Sequence, residues 1–577
     1  MCVLTNLRQQ IPLQMNNPTN DDRYNQLKYL LAIENRPEDF EYIIEALKPP
    51  PDITTLCPNQ CGKDVKVAVI GGGAAGLAAA FELKKIGCDT TLFEATNRLG
   101  GRILTYFFDE DKNQYADLGA MRIPVSHETS WHYINLFNLN TYPYASSNVN
   151  GLFYVRDGRA INDPLGISVM ENIYPKFPLT EEEKRTPWFE LLGRLTSKYM
   201  LDLTPEERQE LVLTKPVYSD IIKRMDKYYY KLGFESVGLS QGAIAMLSYL
   251  SAFIVDFFNL SLAEMMEKSY TADFSLLYGI EGGVSNLVNS FLSALNGELL
   301  DVYSGINKSD LGVSNIRFST AIDGIYQTDG PNKVTLKVVN TTNNTATFED
   351  FDYVICAIPF SSLRRVDINP LFGYRKMQAI VELNYEPAQK VFIYLKNRFW
   401  EMGDEATRII GGSSATDLPI IETVYPSDHA TPISGVPYSW TFRPGTSANE
   451  PGVLLASYNW GQNASRLGSE PATLRLSDVT RQVEQVHDLP EGFINENLIS
   501  SFSIMWTNIP YIWTGGCLGK PQDKLLFSYA VTLPEMNNRV FFAGEHISQK
   551  HIWIQGALQT GMIAANDVAN QIQTRKS

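Results

Sequence analysis

The fold is decided by residues 65 to 87, which run VKVAVIGGGAAGLAAAFELKKIG. The first six residues form a mostly β-branched run, typical of a strand buried in a parallel sheet. The alanine- and leucine-rich stretch after the glycines has helical character. Gly71, Gly73 and Gly76 stand between the two segments as GxGxxG. We therefore predict a strand, a tight turn and a helix in direct succession, the start of a βαβ unit.

Each glycine of this motif has a physical task. Gly71 permits the tight turn, Gly73 lets backbone approach a pyrophosphate, and Gly76 lets the helix pack on the strand. The unpaired N–H groups and the dipole of the helix N-terminus favour negative charge there. Glu94 follows at the end of a second predicted strand, TTLFEA, where a carboxylate can accept from ribose hydroxyls. The motif predicts a dinucleotide site but does not by itself separate NAD from FAD.

The overall composition is that of a large globular enzyme. The chain has 577 residues, 44% of them hydrophobic and 20% charged, so two or three domains are expected. A formal charge of -15 argues against a nucleic-acid partner, since phosphate binding needs a basic surface. The apolar stretch from Ala243 to Val255 is interrupted by serines and is too short for a membrane span.

The cysteines favour a reducing compartment. Six of them are scattered over the chain, too few for a disulfide scaffold. Cys57 and Cys61, in CPNQC, could hold a metal or form a local disulfide, but we interpret their spacing as accidental and expect no metal site. Residues 1 to 5 show no secretory signal, so we expect a cytoplasmic protein. Sequons such as Asn259 and Asn463 leave secretion open.

Two further segments point to one family. Residues 98 to 105, RLGGRILT, follow the ribose carboxylate, and residues 542 to 545, FAGE, precede a C-terminal helix. Both segments resemble the flavin amine oxidases. The resemblance extends from about Val65 to the C-terminus and is weakest in the helical region. It implies an α/β fold, with a Rossmann-like FAD-binding domain of the GR2 type interleaved with an α+β substrate-binding domain and a helical insertion.

The resemblance and the local patterns together predict how the chain is divided. An N-terminal, partly helical extension (1–64) precedes the rest. The FAD-binding domain is built from three separate segments (65–130, 271–386 and 501–577). A helical substrate region (131–270) and a substrate-binding domain (387–500) are inserted between them. Aromatic residues at 228–230 and 253–258 have helical spacing, and we expect them in the core more than in a pocket.

The resemblance also implies which residues contact FAD. Arg102 lies near the cofactor phosphates, Ile322 presents backbone to the adenine, and Glu545 binds the cofactor. The full set is Gly71, Gly73, Ala74, Ala75, Gly76, Glu94, Ala95, Arg102, Gly119, Ala120, Met121, Arg122, Ile322, Gly544, Glu545, Trp553, Ile554 and Ala557. Cys517 follows two glycines, as does the flavin-linked cysteine of monoamine oxidases, but Leu518 breaks that motif. We expect FAD to be held without a covalent bond.

Residues 117 to 124, DLGAMRIP, resemble the L-amino-acid oxidase branch of the family. Arg122 is then the anchor for the substrate carboxylate, because a guanidinium offers two parallel charge-assisted hydrogen bonds to it. The alternative for Arg122 is an ion pair within the fold. Amines lack the carboxylate, so the anchor separates the two substrate classes.

Four residues complete the implied substrate site. Tyr425, in ETVYPSDH, matches the tyrosine whose hydroxyl also reaches the carboxylate, and Lys390 matches the lysine that holds a water against flavin N5. Ile552 and Trp553 match the pair that lines the substrate amine and the flavin, although venom-type oxidases have glycine where this chain has Ile552. We expect catalytic roles for Lys390, Arg122 and Trp553, and none for the histidines.

These residues predict an FAD-dependent L-amino-acid oxidase. The α hydrogen would leave as hydride to flavin N5, water would release a 2-oxo acid and ammonia, and dioxygen would be reduced to hydrogen peroxide. The expected partners are an L-amino acid, dioxygen and a second copy of the chain. The rivals are an amino-acid 2-monooxygenase that forms an amide, an amine or polyamine oxidase, and a flavin-binding protein without turnover.

Overall fold

The structure is a computed structural model that describes residues 12–58, 60–327, 333–436 and 438–576. The predicted strand, glycine turn and helix occupy the expected places. The first elements are α1 (Asn20–Ile33), α2 (Asp39–Leu47), α3 (Ile53–Leu56), β1 (Lys66–Ile70), α4 (Ala74–Lys85), β2 (Asp89–Phe93), β3 (Thr105–Asp109), β4 (Gln114–Asp117) and β5 (Ile123–Pro124).

The middle of the chain is mostly helical, with two short runs of strands. Its elements are α5 (Glu128–Leu136), β6 (Thr141–Tyr144), β7 (Leu152–Val155), β8 (Gly158–Ile161), α6 (Ile167–Asn172), α7 (Trp188–Leu201), α8 (Pro205–Gln209), α9 (Asp220–Lys227), α10 (Tyr230–Ser236), α11 (Gln241–Leu250), α12 (Ile254–Phe257), α13 (Leu262–Tyr270), β9 (Leu277–Ile280) and α14 (Ser285–Asn296).

The remaining elements alternate between strands and helices. They are β10 (Ser314–Arg317), β11 (Thr320–Gln327), β12 (Val334–Asn340), β13 (Ala346–Phe351), β14 (Tyr353–Cys356), α15 (Phe360–Leu363), β15 (Asp367–Asn369), α16 (Tyr374–Glu382), β16 (Tyr385–Glu386), β17 (Ala388–Leu395), β18 (Gly412–Thr416), β19 (Glu422–Tyr425), β20 (Ala430–Pro432), β21 (Trp440–Phe442), β22 (Gly452–Trp460), α17 (Gly461–Gly468), α18 (Ala472–His487), α19 (Phe493–Asn497), β23 (Leu498–Met505), β24 (Gly516–Cys517), α20 (Asp523–Phe527), β25 (Val540–Phe542) and α21 (Ile554–Lys576).

A parallel sheet carries the glycine motif. Its strand order is β10-β2-β1-β14-β25, and each neighbouring pair is parallel. β1 is central and has four buried residues, Val67 to Ile70, which explains the apolar run. Strands from three distant regions of the chain therefore assemble one dinucleotide-type sheet. The carboxyl ends of these strands form the edge at which open α/β sheets bind ligands.

A second, mainly antiparallel sheet supplies the other wall of the site. Its order is β23-β17-β22-β19-β18-β7-β8. Every residue of β17 is buried, as expected for a central strand covered on both faces. Lys390, Tyr458 and Glu422 lie opposite one another across β17, β22 and β19. Directly opposite residues share a face of a sheet. The side chains of these three residues therefore lie on the same face of this sheet.

The N-terminal extension is packed onto the rest of the protein. The Arg23 guanidinium lies 2.6 Å from the Glu128 carboxylate, and both side chains are buried. Gln555, in the last helix, donates to the Leu47 carbonyl over 2.7 Å. The extension therefore contacts both α5 and the C-terminal helix α21.

Cys57 and Cys61 form a disulfide in this extension. The interpretation of their spacing as accidental was wrong, because the short helix at Ile53–Leu56 and the turn after it bring the two side chains together. None of the helices within the described ranges has both the length and the apolar character that a membrane crossing requires.

Candidate active site

A large cavity lies between the two sheets and brings together residues from all along the chain. It is lined by nearly every residue expected to contact cofactor or substrate: Gly71, Gly73, Ala74, Ala75, Glu94, Ala95, Arg102, Gly119, Ala120, Met121, Arg122, Ile322, Lys390, Gly544, Glu545, Ile552, Trp553, Ile554 and Ala557. Two expected residues, Gly76 and Tyr425, do not belong to this lining. One end of the cavity is built around the glycine turn and the other around Lys390 and Trp553.

The glycine turn shapes the first end through its backbone. A Cβ on Gly76 would lie 1.9 Å from the Gly71 carbonyl oxygen, so only glycine lets the helix approach this closely. A Cβ on Gly73 would meet nothing within 4 Å, because this position faces the open cavity. Gly73 caps α4 and offers no side-chain hydrogen bond, so the first N–H groups of the helix have no side-chain partner there. A helix N-terminus of this kind favours negative charge.

Glu94 lies at the same end and is held by the backbone. One of its carboxylate oxygens accepts from the Gly72 N–H at 2.9 Å, and the other accepts from the Thr96 N–H at 2.8 Å. The ribose-binding role expected for Glu94 is compatible with this position. Thr96 and Arg98 also line the cavity, although the sequence did not single out Thr96.

A second carboxylate, Glu545, organises the far side of the cavity. Its oxygens accept from the Arg102 guanidinium at 2.7 Å and from the N–H groups of Ile552 and Cys517 at 2.9 and 3.2 Å. Burial alone would raise the pKa of Glu545, but Arg102 overcomes burial and the pKa is lowered. The ionised carboxylate therefore fixes three segments from distant regions of the sequence.

Ile552 has an unusual backbone. Its φ is +63°, in the left-handed region that β-branched residues rarely adopt. The resemblance led us to expect glycine at this position, and the backbone has a glycine-like conformation although the residue is isoleucine. Such strain costs roughly 1–3 kcal/mol and is found mainly at functional sites. The Ile552 N–H bond to Glu545 is one contact that maintains this conformation.

Several buried polar atoms around the cavity have no hydrogen-bond partner among the described residues. They include both ring nitrogens of His546, Nε1 of Trp553 and Nε of Arg122. Unsatisfied buried polar atoms are costly, and a bound polar group would satisfy them. Together with the anion-binding helix end, they make the lining suitable for a large cofactor that carries phosphates and a polar ring system.

Arg122 lies directly before β5, at the second end of the cavity. Its guanidinium carbon is 5.3 Å from the centre of the Tyr144 ring, and within the described chain no carboxylate lies within ion-pair distance of it. Burial opposes its charge, yet Tyr144, Glu422 and Tyr458 more than offset burial, and the pKa of Arg122 is raised. Arg122 is therefore a charged group that no carboxylate of the described residues contacts.

Lys390 lies beside Arg122 and is almost fully buried. Its ammonium donates to the carbonyl oxygens of Asp117 and Gly119 at 3.0 and 2.7 Å, and to Sδ of Met121 at 3.3 Å. Burial lowers the pKa of Lys390, although the Asp117 carboxylate opposes this effect. The structure therefore places a lysine with a lowered pKa at the second end of the cavity.

The position of Tyr425 differs from the sequence expectation. This tyrosine is fully buried, and its hydroxyl is within hydrogen-bond distance of Ser414 Oγ (2.6 Å) and His487 Nε2 (2.7 Å). Alternate residues of β19 face opposite sides of the sheet, and Glu422 and Tyr425 fall on different sides. Tyr458, on the neighbouring strand, lines the cavity instead. The missed signal was the cross-strand register, which a single sequence does not give.

Aromatic residues close the substrate end. Phe253, Phe257, Phe274, Tyr458 and Trp460 line the cavity together with Trp553. The Phe253 ring lies 4.8 Å from the Tyr458 ring, edge to face. Phe257 is buried in the main apolar cluster and Phe253 packs against it, as expected for core residues. Both also line the cavity, because a break between α11 and α12 turns them towards it.

A buried ionic cluster lies behind Trp553. The Lys550 ammonium contacts Glu267, Thr271 and Asp273 at 2.7, 2.7 and 2.5 Å. His127 Nε2 lies 3.1 Å from the Asp273 carboxylate, and the His127 ring packs edge-on against Trp553 at 5.0 Å. Burial lowers the pKa of His127 to about 4, so it is neutral near pH 7. The cluster anchors Trp553 and does not face the cavity.

Cys517 is buried in an apolar cluster and does not line the cavity. Burial raises the pKa of its thiol well above the usual value, which disfavours the thiolate needed for covalent attachment. This position agrees with the expected ordinary packing role.

Comparison with known proteins gives an independent view of the chain. Residues 74–569 match the family model described as flavin containing amine oxidoreductase. The protein YobN of Bacillus subtilis (strain 168) is 29% identical over 508 residues, which cover 87% of this chain and 94% of that protein. The L-amino acid oxidase bordonein-L of Crotalus durissus terrificus is 28% identical over 512 residues, covering 87% of this chain and 86% of that protein.

Among solved structures, a putrescine oxidase bound to putrescine superimposes with a TM-score of 0.64 at 14% identity, covering 87% of this chain and 98% of that one. The likeness confirms the expected fold class, a mixed α/β flavin amine oxidase fold.

Proposed function

The chain belongs to the family of flavin-containing amine oxidoreductases, and from that premise we propose that it is an FAD-dependent L-amino-acid oxidase. The amino acid loses two electrons and becomes an imino acid, which water converts to a 2-oxo acid and ammonia. Dioxygen receives the two electrons and two protons and leaves as hydrogen peroxide. The curated relatives named as L-amino acid oxidases, such as bordonein-L, support this substrate class.

One observation carries the proposal: among the described residues, no carboxylate contacts the Arg122 guanidinium in the cavity. A planar, permanently charged group in a protected cavity matches a carboxylate, to which it can give two parallel hydrogen bonds. The Tyr144 ring packs against the guanidinium, and the buried Glu422 carboxylate acts on its charge without an ion-pair contact. An amine substrate would leave this cation buried and unpaired, which is costly.

The chain's own residues would hold and desolvate the substrate. Arg122 fixes the acid end, the aromatic residues exclude water, and Trp553 is held as a wall by the ionic cluster behind it. When bound, the flavin supplies the two-electron acceptor that takes the α hydrogen. Lys390 would hold or release a proton at Nζ, since burial lowers its pKa. Because the α hydrogen leaves with both bonding electrons, no side-chain base is required to remove it as a proton.

Glu422 favours the competing amine-oxidase function. It is buried in the row opposite Tyr458, and one of its oxygens has no hydrogen-bond partner in the described chain. Burial raises the pKa of Glu422, while Arg122 opposes this effect. If Glu422 swung into contact with Arg122, the pair would be internally neutral and the carboxylate of a substrate would no longer be needed.

Matched substrate pairs distinguish the two functions. L-phenylalanine and phenylethylamine differ only by the carboxylate, as do L-leucine with isoamylamine and L-lysine with cadaverine. We expect kcat/KM for peroxide formation to be at least 100-fold higher for the amino acid of an accepted pair. Equal or faster oxidation of the amines would refute the proposal. Amide and carbon dioxide as products, in place of ammonia and a 2-oxo acid, would favour the monooxygenase.

We further propose that FAD is bound without a covalent bond and that the enzyme is a homodimer. Precipitation with acid should leave the yellow colour in the supernatant; colour in the pellet would indicate a covalent link. Light scattering on an eluting column peak gives the mass of the assembly, which should be twice the chain mass of 64.8 kDa.

A further inference from the structure

A second, smaller cavity lies beside the main one, on the far side of Met121. Its volume is about 90 Å³. Met121 lines both cavities. Tyr144 lines the second cavity, and its ring packs against the Arg122 guanidinium, which lines the first. The two cavities are therefore separated by a single layer of side chains.

The second cavity has a polar outer end, a mostly apolar and aromatic interior, and Met121 at its inner end. Its outer end has Asn113, exposed in the turn between β3 and β4, and Asp428, whose side chain is 41% exposed. Both oxygens of Asp428 contact the Arg398 guanidinium, at 2.7 and 2.6 Å, so the charge at the entrance is balanced. The interior has buried apolar residues on one side, namely Ala116, Phe392, Val424, Val453 and Leu455. Its other lining residues are Gln114, Tyr115, Asp117, Tyr142, Tyr425, Pro426 and Ser427, so apolar and aromatic side chains predominate but some polar groups are present.

The inner end is closed by a thioether. Sδ of Met121 lies 3.3 Å from Lys390 Nζ and 3.8 Å from the Tyr144 hydroxyl. Methionine is unbranched and has three rotatable side-chain bonds, so it changes shape more easily than the aromatic residues around it. Rotation of this one side chain would join the two cavities beside Lys390 without a backbone movement.

Resting on the proposed oxidase function, we propose that the second cavity is the entry route for dioxygen and that Met121 is its gate. One water needs roughly 10–15 Å³ of such space, so the cavity admits small molecules but not an amino acid with its hydration shell. Dioxygen is small and apolar and loses little on entering an apolar passage. The main cavity is meanwhile filled by substrate or product.

The end point of the route suits the reduction of dioxygen. Dioxygen gains two protons and the two electrons that the amino acid loses on oxidation, and it leaves as hydrogen peroxide. Negative charge builds up on the oxygen before the protons arrive. The Lys390 ammonium, at the inner end of the route, would stabilise that charge.

Two variants that fill the passage test the route. Ala116→Leu and Val453→Phe add bulk to the apolar interior from β4 and β22, and neither residue belongs to the proposed binding machinery. Val334→Phe, in β12 of a separate sheet, is the matched control for forcing a phenyl ring into a sheet core. We expect both filling variants to lower the second-order rate constant for reoxidation by dioxygen at least tenfold. Anaerobic reduction by an L-amino acid should change less than twofold.

Xenon gives a readout that does not depend on activity, since it occupies dry apolar cavities. Crystals of the parent protein under xenon pressure should show a xenon atom between Met121 and Val453, and crystals of Val453→Phe should not. A filling variant that does not fold leaves the other variant and the xenon experiment to decide. Absence of xenon, or unchanged reoxidation in a folded filling variant, would overturn the route.

The two proposals fail in different ways. If amino acids do not reduce the enzyme, the oxidase proposal is wrong, and reoxidation after reduction with dithionite still tests the route. If reduction and reoxidation slow equally in a filling variant, the passage has another role and the dioxygen route is wrong.

Discussion

The two ends of the main cavity are built in different ways. At the nucleotide end, the shape comes from backbone: Gly71, Gly73, Gly76 and the start of α4 are close together in sequence, and Glu94 is bound by N–H groups. At the substrate end, the shape comes from side chains that lie on separate strands and loops, such as Arg122, Lys390, Tyr458 and Trp553.

This difference explains which polar groups already have hydrogen-bond partners within the protein. Glu94 accepts three hydrogen bonds from its neighbours, whereas Arg122 and Trp553 retain polar atoms without partners in the described chain. Polar groups of a site built from backbone find their hydrogen-bond partners when the local structure forms. Polar side chains of the other end keep free hydrogen-bonding atoms that a ligand can satisfy. Substitutions at the first end should therefore affect folding and cofactor retention, and those at the second end should affect substrate use.

The largest expected effect is at Gly76. Gly76→Ala would place a methyl group 1.9 Å from a carbonyl oxygen of the backbone, so we expect loss of soluble, flavin-containing protein. Gly73→Ala is the matched control, because its Cβ meets nothing within 4 Å. It should fold with an unchanged melting temperature but bind FAD at least tenfold more weakly in a titration of the apoprotein. Normal flavin content in Gly76→Ala would show that close backbone packing at Gly76 is not needed to form the nucleotide end.

Arg122 should give the next largest effect. Arg122→Met removes the proposed anchor while keeping the apolar stem, and we expect kcat/KM for L-amino acids to fall by about 10²–10⁴, the range for removing one partner of a buried charge pair. Flavin content should stay the same. Arg122→Lys should recover some of the loss, since a point charge lacks the planar fork. Unchanged kcat/KM in Arg122→Met would show that the guanidinium serves the fold.

Lys390 should produce a pH effect of intermediate size. Burial lowers its pKa, so the ammonium form is lost at a lower pH than for an exposed lysine. If the charge assists reduction of dioxygen, the reoxidation rate falls as pH rises through this lowered pKa. Lys390→Met should be about tenfold slower at low pH and should lose the pH dependence, as measured by stopped-flow mixing with dioxygen. A pH profile that persists in Lys390→Met would assign the titration to another group.

Ile552 tests backbone strain at the substrate end. Alanine at this position keeps the left-handed conformation, which costs about 1–2 kcal/mol for an L residue and nothing for glycine. We therefore expect Ile552→Gly to be more stable than Ile552→Ala by about 1–2 kcal/mol in urea unfolding. This order is the reverse of that found at an ordinary helical site. Higher stability of the alanine variant would indicate that the backbone relaxes.

Tyr425 should give the smallest effect on activity. Its hydroxyl is bound by Ser414 and His487 inside the sheet, so Tyr425→Phe should cost about 1 kcal/mol of stability and change KM less than twofold. Tyr458→Phe, at the cavity wall, is the comparison variant and should change KM more. A tenfold rise of KM in Tyr425→Phe alone would restore the role that the sequence predicted for this residue.

The sequence by itself determined the nucleotide end and the nature of the fold. The glycine motif, the strand before it and the helix after it are consecutive, and their conformations follow from local sterics and apolar patterning. The segments around Arg102 and Glu545 could also be recognised, because each is a short continuous motif. For this reason almost all the residues expected at the cofactor line one cavity.

The tertiary structure alone decided which side chains meet at the substrate end. Strand register placed Tyr458 in the cavity and turned Tyr425 away, and a break between two helices brought Phe253 and Phe257 to the wall. A shift of one residue in pairing reverses the face that a side chain occupies, and nothing local in the sequence fixes that shift. Sites built from backbone are therefore visible in sequence, whereas sites built from side chains on several strands appear only after the strands have paired.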